Sequence, residues 1–202
     1  MRIKSQLILV ILFITFTQSS FSQTYIEQMK KCSEILDGVS VVDSGFWQKL
    51  ELRNNCLIGL KAPSFKAKTI NDLTIDTDSL RGKVLVLNFW FTKCSPCVKE
   101  IPTLNNLVKD YKEKDILFLS LANDGDKKLS DFLKTTAFNF QHIPSSRILI
   151  DTFKLFGIWP TTVIIDKQGF IQFIKVGVLD NSKDSHIDLL NRLLSNQGVR
   201  TP

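Results

Sequence analysis

A nearly continuous apolar run covers residues 84–91, which read VLVLNFWF. Such a run lacks the alternation of a half-exposed strand, and it predicts a strand that is buried on both faces of a sheet. The next segment predicts a helix, because apolar side chains recur there at helical spacing: Val98, Ile101, Leu104, Leu107, Val108 and Tyr111. The sequence therefore predicts a buried strand that a short connection joins to an amphipathic helix.

The rest of the pattern alternates strands with helices. A short hairpin is predicted around Asn71 and Asp72, ahead of the buried strand. The elements predicted after the first helix are a strand at 116–121, a helix at 127–138, a strand at 147–150, a hairpin of 161–165 with 170–176, and a closing helix at 184–194 whose inward side chains are Ile187, Leu190 and Leu194. This order predicts an α/β fold with a central mixed sheet flanked by helices, in which parallel strands carry an antiparallel edge.

The N-terminus has the pattern of a secretory signal peptide. Arg2 and Lys4 precede an apolar run at residues 7–14, and the small residues Ser20 and Ser22 follow it. The run is shorter than the roughly 20 residues that span a bilayer, although a retained N-terminal anchor is the alternative. The predicted organisation is a signal peptide at 1–22, an N-terminal helical extension at 23–57 and one main domain at 58–202.

Composition and charge fit one globular core. Hydrophobic residues make up 44% of the 202 positions, enough for one sizeable interior. The formal net charge is +6, and loss of Arg2 and Lys4 with the signal peptide would leave +4. Basic residues alternate with acidic ones, as at 112–115, and form no stripe with interleaved aromatic residues. The sequence therefore argues against nucleic-acid binding.

Two cysteines lie at the predicted strand–helix junction, in Cys94-Ser95-Pro96-Cys97. The free N–H groups and macrodipole at the start of a helix favour negative charge, so the first thiol is expected to ionise readily. The second cysteine lies one helical turn further on, within disulfide distance of the first. This arrangement predicts thiol–disulfide exchange, in which Cys94 attacks a partner disulfide and Cys97 resolves the mixed disulfide.

Two other interpretations of the cysteine pair remain open. Half of a zinc site would need a second pair of ligands, and the only histidines, His142 and His186, are near neither a cysteine nor each other in sequence. A purely structural disulfide would have the same spacing. We expect no metal, and no cofactor other than a redox-active Cys94–Cys97 disulfide.

Several segments resemble the TlpA/ResA-like thiol–disulfide oxidoreductases, which belong to the thioredoxin superfamily. The segments are residues 82–90, then Cys94-Ser95-Pro96-Cys97 with Glu100-Ile101-Pro102, and residues 159–166 with Gly169. The resemblance covers residues 58–196, and each piece stands in the expected order relative to the predicted strands and helices. It implies a thioredoxin-like fold with an inserted helical element between Cys97 and Pro160.

The resemblance also implies roles for single residues. Pro160 matches a cis-proline at the active site, where the backbone of Trp159 would pair with a bound partner; an ordinary trans turn proline is the alternative. Glu100 matches an acidic residue that tunes the thiols and relays protons, although a solvated helix glutamate would look the same. Thioredoxin itself keeps a buried Asp where this chain has Asn88, which cannot accept a proton. Lys93 stands where these families often have Trp.

Cys32 and Cys56 lie in the predicted N-terminal extension. In an oxidising compartment, two remaining cysteines most simply pair with each other, so we predict a structural disulfide. A second redox pair that exchanges with Cys94 and Cys97 is one alternative, and buried free thiols are another.

The predicted function is an enzyme, an extracytoplasmic disulfide reductase acting on exported proteins. The resemblance implies partners such as apocytochrome c or oxidase-assembly factors, and a membrane thiol transporter as the electron donor. The expected location is the periplasm, with a membrane-anchored form facing the periplasm or the cell exterior as the alternative. Membrane contact is expected only if the N-terminal segment is retained.

Three alternative functions differ in their sequence requirements. An oxidase or isomerase on the same fold cannot be separated from a reductase by sequence, because the redox potential depends on how the reduced form is stabilised. A peroxiredoxin-like peroxidase would need a Pro-x-x-x-Thr-x-x-Cys motif, but Leu87 and Phe91 occupy those positions ahead of Cys94. A copper-binding assembly module would need a wider cysteine spacing and a third ligand.

Overall fold

The computed structural model describes residues 25–153, 155, 157–179 and 185–195. The predicted signal peptide at 1–22 lies outside these residues. The chain divides into two compact units, Met1–Pro63 and Ser64–Pro202. In the part of the chain that the structure describes, no helix is long and apolar enough to cross a membrane.

The N-terminal unit is helical in its described part. Residues 25–33 form helix α1, a 3-10 turn covers Glu34–Leu36, and helix α2 covers Phe46–Asn55. A disulfide joins Cys32 of α1 to Cys56, the residue that caps the C-terminus of α2, across 24 positions of sequence. This bond restricts the unfolded chain between the two helices and so stabilises the unit.

The second unit contains the strands and the remaining helices. Their bounds are β1 Lys66–Lys68, β2 Thr74–Asp76, β3 Val84–Trp90, α3 Ser95–Asp110, β4 Ile116–Ala122, α4 Asp126–Leu133, β5 Gln141–Ile143, α5 Arg147–Phe153, β6 Thr161–Ile165, β7 Ile171–Val176 and α6 Ser185–Leu194. Strands β1 and β2 pair as an antiparallel hairpin, and Asp72 supplies the turn with a positive φ of 60°. Asp tolerates this left-handed conformation better than most residues.

Five strands form the central sheet in the order β5-β4-β3-β6-β7. Strands β3, β4 and β5 are parallel, whereas β6 runs antiparallel to β3, and β7 antiparallel to β6. This arrangement confirms the mixed sheet predicted from the sequence. All seven residues of β3 are buried, as the unbroken apolar pattern of that segment predicts.

Both faces of β3 are covered because successive strand residues point to opposite sides of a sheet. On one face, Trp90 lies in a buried cluster with Leu104 of α3 and Leu190 of α6. On the other face, the Phe89 ring lies 5.4 Å from the Phe153 ring of α5. The centre of the sheet is therefore enclosed between helices.

The segment at 147–150 differs from the sequence prediction of a strand, which is wrong. The strand β5 ends before this segment, and helix α5 includes it. The Ser146 N–H donates to the Ala122 carbonyl at 2.9 Å, and the Ile150 N–H donates to the Ser146 carbonyl at 3.0 Å. These bonds turn the chain from the sheet edge into a helix. A short apolar run fits either periodicity, so the sequence pattern could not separate the two structures.

Helix α4 is shorter than the predicted helix at 127–138. The N–H groups of Thr135 and Thr136 both donate to the Phe132 carbonyl, at 3.2 and 3.1 Å, and close the helix. Phe138 then enters the core, where its ring lies 5.3 Å from the Trp90 ring. The last predicted turn of the helix is therefore absent from this segment, and Phe138 packs against Trp90 from a non-helical part of the chain.

Helix α6 packs the predicted Ile187, Leu190 and Leu194 against the core, but its most buried face is rotated slightly from them. Ile187 and Leu194 are only half-buried, and the buried side chains are His186, Leu190 and Leu193. The Tyr111 hydroxyl also donates a hydrogen bond to Asn191 Oδ1 of α6 at 3.0 Å. A polar contact from another helix has no signature in the apolar periodicity of α6.

Ile150 and Ile148 provide a matched test of the α5 packing. Ile150 is 3% exposed and Ile148 is 79% exposed on the same helix. We expect Ile150→Ala to lower the free energy of unfolding by about 2–5 kcal/mol, because it leaves a cavity, and Ile148→Ala to change it by about 0.5 kcal/mol or less. Urea denaturation followed by circular dichroism measures both values. Equal losses would contradict the helical packing of this segment.

Candidate active site

The two cysteines of the motif lie where β3 gives way to α3. Cys94 is the N-cap residue of α3, and its side chain accepts a hydrogen bond from the Cys97 N–H at 3.3 Å. The two residues form a disulfide with their Cα atoms 5.2 Å apart. The helix N-terminus therefore points a donor N–H at the sulfur of Cys94, where a thiolate would be stabilised after reduction.

The loop before Cys94 is held by the residues that follow β4. The Thr92 N–H donates to Asp124 Oδ2 at 2.5 Å, and the Lys128 ammonium binds the other oxygen of the same carboxylate. Burial raises the pKa of the Asp124 carboxyl, but the hydrogen bonds from Lys128 and Thr92 outweigh it and hold the pKa below its ordinary value. An ionised Asp124 thus fixes the backbone directly ahead of the disulfide. Lys93 in this loop is exposed.

Sequence reasoning missed Asp124. The signal that could have found it is its position just after a predicted parallel strand. The carboxyl ends of β3 and β4 meet at one edge of the sheet, because the two strands are parallel and pair residue for residue up to Trp90 and Ala122.

The peptide bond between Trp159 and Pro160 is cis. In the antiparallel ladder of β3 with β6, Thr161 is opposite Phe89, so Pro160 reaches the edge of the sheet at which β3 ends. The Trp159 ring lies 5.7 Å from the Phe91 ring at an interplanar angle of 86°. The structure thereby brings Trp159 and Pro160 to the loop that carries the disulfide.

Glu100 lies one helical turn after Cys97 and is 1% exposed. Its Oε1 accepts a hydrogen bond from the Leu179 N–H at 2.6 Å, and its Oε2 accepts one from Asn88 Nδ2 at 3.4 Å. Burial raises the pKa of Glu100 to about 7, against the two hydrogen bonds, which favour the ionised form. This carboxyl is therefore not a solvated helix glutamate, and it can take up or release a proton near neutral pH.

A row of polar side chains crosses the buried face of the sheet next to Glu100. Ser120, Asn88 and Thr162 are register partners on β4, β3 and β6, so their side chains share one face. Asn88 Nδ2 also donates to Thr162 Oγ1 at 3.1 Å, and Ser120 Oγ lies 3.0 Å from His142 Nδ1. Sequence reasoning singled out Asn88 but missed Thr162, because its relation to Asn88 depends on strand register.

The remaining cysteines lie in the N-terminal unit. Cys32 and Cys56 form a disulfide with their Cα atoms 5.8 Å apart, and Cys32 is fully buried. The Gln28 amide nitrogen lies 3.9 Å from the sulfur of Cys32 and 3.8 Å from that of Cys56. Among the residues that the structure describes, no three His, Cys, Asp or Glu side chains come together as a metal site requires.

Comparison with known proteins identifies the family. The AhpC/TSA family matches residues 58–174, which include every residue of the candidate site from Cys94 to Pro160. This chain belongs to the AhpC/TSA family. Its resemblance to ResA-like thiol–disulfide oxidoreductases, predicted from the sequence motifs, is confirmed by relatives of that name.

The thiol–disulfide oxidoreductase ResA of Bacillus thuringiensis (strain Al Hakam) is 36% identical over 114 residues, which cover 55% of this chain and 65% of the relative. This chain therefore spans slightly less than two thirds of the length of that relative. The thioredoxin-like protein YneN of Bacillus subtilis (strain 168) is 31% identical over 136 residues, which cover 65% of this chain and 79% of the relative.

A crystal structure of a thiol:disulfide interchange protein of the thioredoxin family, from Chlorobium tepidum TLS, superimposes with a TM-score of 0.57 and 26% identity. The match covers 64% of this chain and 94% of the other. The predicted thioredoxin-like fold is confirmed by this similarity.

The pH dependence of stability provides a test of the buried Glu100. The pKa of its carboxyl is about 7 in the folded protein and close to the ordinary 4.5 in the unfolded chain, so the folded state binds the extra proton between these values. Oxidised wild-type protein should therefore lose stability as the pH rises from 4.5 to 7 and change little above 7 on this account.

Glu100→Gln should remove this loss, and Glu51→Gln, at an exposed position of α2, should follow the wild type. Urea denaturation at several pH values, with the disulfides intact, measures the three curves. Parallel curves for wild type and Glu100→Gln would contradict titration of Glu100 in this range.

Proposed function

We propose that this protein is a thiol–disulfide oxidoreductase that reduces disulfides of exported proteins through Cys94 and Cys97. The observation that carries the proposal is the Cys94–Cys97 disulfide at the N-terminus of α3, at the same sheet edge as the cis Trp159–Pro160 bond. The names of the ResA relatives and of the thiol:disulfide interchange protein support the same chemistry.

The reaction begins with the reduced dithiol. The Cys94 thiolate attacks one sulfur of the partner disulfide, which forms a mixed disulfide and expels the other partner sulfur as a thiolate. Cys97 then loses its proton and attacks the Cys94 sulfur, so that the Cys94–Cys97 bond forms and the second partner sulfur leaves. Two electrons pass from the dithiol to the partner, and the cysteine pair supplies both of them.

Glu100 is the proposed acceptor for the Cys97 proton. It lies on the buried face of α3 one turn from Cys97, and a pKa of about 7 keeps both of its protonation states populated near neutral pH. General bases work best when their pKa lies near the operating pH. The amide of Asn88 cannot take up a proton and acts as a donor to this carboxyl.

The partner is proposed to bind at Trp159 and Pro160. In the family that this chain resembles, the residue before the cis-proline pairs with the partner through its backbone, as one strand pairs with another. Here that residue is Trp159. The Pro160 carbonyl accepts from the Gly177 N–H at 2.8 Å, which holds this turn against the end of β7. A fixed turn presents the Trp159 backbone without a further ordering cost.

The proposed setting is outside the cytoplasm, in the periplasm or on the cell exterior. The signal-peptide pattern of residues 1–22 supports export from the cytoplasm. The thiol reductants of the cytoplasm do not reach the compartment outside it. A membrane thiol transporter would then supply electrons, and substrates would include proteins of cytochrome c maturation or oxidase assembly. An anchored form would differ only in keeping the N-terminal segment.

Substitution of each cysteine by serine tests the assigned roles. Cys97→Ser should accumulate a mixed disulfide between Cys94 and insulin, a model substrate, because the resolving sulfur is missing. Cys94→Ser should accumulate none, because the sulfur at the helix N-terminus is missing. Both variants should lose at least about 99% of multiple-turnover insulin reduction, since neither can complete the exchange. Mass spectrometry under non-reducing conditions identifies the adducts, and the opposite pattern would reverse the roles.

The redox midpoint decides between a reductase and an oxidase or isomerase. Wild-type protein is equilibrated in graded glutathione and dithiothreitol buffers, and alkylated Cys94 and Cys97 are counted by mass spectrometry. A reductase should show a midpoint well below about −200 mV, toward the thioredoxin value near −270 mV. A midpoint near about −120 mV would indicate an oxidase and contradict the proposed direction of the reaction.

A further inference from the structure

Asn88 links two polar side chains inside an apolar cluster. Its Nδ2 atom lies 3.1 Å from Thr162 Oγ1 and 3.4 Å from Glu100 Oε2. None of the three residues is more than 1% exposed. Because Asn88 and Thr162 are register partners in the β3–β6 ladder, the hydroxyl and the carboxamide are held on the same face of the sheet.

The donor capacity of Asn88 determines how this network works. A carboxamide nitrogen carries two N–H groups, and an ionised carboxylate only accepts hydrogen bonds. Asn88 must therefore turn Nδ2, not Oδ1, toward an ionised Glu100. Thr162 Oγ1 accepts the second N–H in this orientation, so both donors have acceptors within a buried site.

We propose that Thr162 is a positioning residue of the active site, whose hydroxyl orients the Asn88 carboxamide so that it donates to Glu100. The functional part of this assignment rests on the proposed role of Glu100 as proton acceptor for Cys97. Without the hydroxyl, one buried N–H of Asn88 loses its acceptor, and rotation of the carboxamide presents Oδ1 to Glu100. An oxygen in that place favours the protonated carboxyl, which can donate to it.

The surroundings of Glu100 contain few other charges that could account for such an effect. Strands β3, β4 and β6 contain no ionisable side chain, and Leu179 contributes its backbone N–H. His142 of β5 contacts Ser120 in the same polar row, and burial lowers the pKa of its imidazole below the ordinary 6.5, which favours the neutral form at neutral pH. His186 is the buried titratable residue of α6. Lys99 on α3 and Lys175, the register partner of Thr162 on β7, are both exposed. Cys94 and Cys97 share the helix of Glu100, but they do not titrate while they form a disulfide.

The experiment is a pH titration of the Glu100 carboxyl carbon by 13C NMR, on the oxidised full chain with labelled glutamate. Glu100→Gln identifies the signal, and the wild-type midpoint is expected at about 7. Thr162→Val keeps the shape of the side chain and removes the hydroxyl, so the midpoint should rise by about one pH unit through loss of a hydrogen bond to a charged group. Thr162→Ser restores the acceptor and should return the midpoint to the wild-type value.

Thr161→Val is the matched control. Thr161 is the neighbouring buried threonine on β6, its side chain points to the opposite face, and its hydroxyl donates to the Ile158 carbonyl at 2.7 Å. This variant should leave the Glu100 midpoint unchanged. If Thr162→Val does not fold, Thr162→Ala removes the same hydroxyl with less crowding and should give the same rise.

An unmoved midpoint in a folded variant that lacks the Thr162 hydroxyl would overturn the assignment, as would an equal rise in Thr161→Val. These measurements need no substrate and no turnover. Failure of the wild-type chain to reduce insulin would instead overturn the proposed function. In a functioning enzyme, the pH profile of insulin reduction should shift upward in Thr162→Val and return in Thr162→Ser, which a merely structural role would not produce.

Discussion

The complete burial of β3 is the constraint on which the rest of the second unit depends. Its seven residues are buried, and its backbone pairs with β4 on one side and β6 on the other. A strand enclosed in this way can present reactive groups only beyond its end, and the cysteine pair begins four residues after Trp90. The same ladder sets Ser120 and Thr162 on either side of Asn88. The position of one strand therefore determines both where the disulfide lies and which polar side chains flank Asn88.

Burial raises the pKa of Glu100 and hydrogen bonding lowers it, and the effect of burial is the larger of the two. Each hydrogen bond to an ionised group contributes about 1.5–3 kcal/mol, and Glu100 accepts two, from Leu179 and Asn88. These bonds do not fully offset desolvation, since the pKa still rises from 4.5 to about 7. A carboxyl with neither bond would stay protonated further into the alkaline range. Through Asn88, the polar row thus lowers the pKa of the buried Glu100 carboxyl as well as providing it with a hydrogen-bond donor.

Local patterns of sequence predicted the parts of the molecule that depend on neighbours along the chain. The buried strand, the mixed sheet and the family followed from apolar runs and from motifs around Cys94 and Pro160. The strand predicted at 147–150 is wrong because three apolar residues fit either periodicity, and the Ser146 contacts that select a helix come from elsewhere. Thr162, Asp124 and Leu179 escaped prediction for a related reason. Their importance arises from strand register and from backbone donors, which only the folded chain defines.

The two disulfides occupy opposite electrostatic environments. Cys94 caps the positive N-terminal end of α3, whereas Cys56 caps the C-terminal end of α2 and Cys32 lies in the last turn of α1. Opening the second bond would create thiolates beside helix carbonyls, which carry partial negative charge and disfavour them. Exchange proceeds through thiolates, so the two bonds should differ strongly in rate. The helix ends therefore favour thiol–disulfide exchange at the Cys94–Cys97 bond over exchange at the Cys32–Cys56 bond, so the same polypeptide can hold one bond for chemistry and one for the covalent integrity of its N-terminal unit.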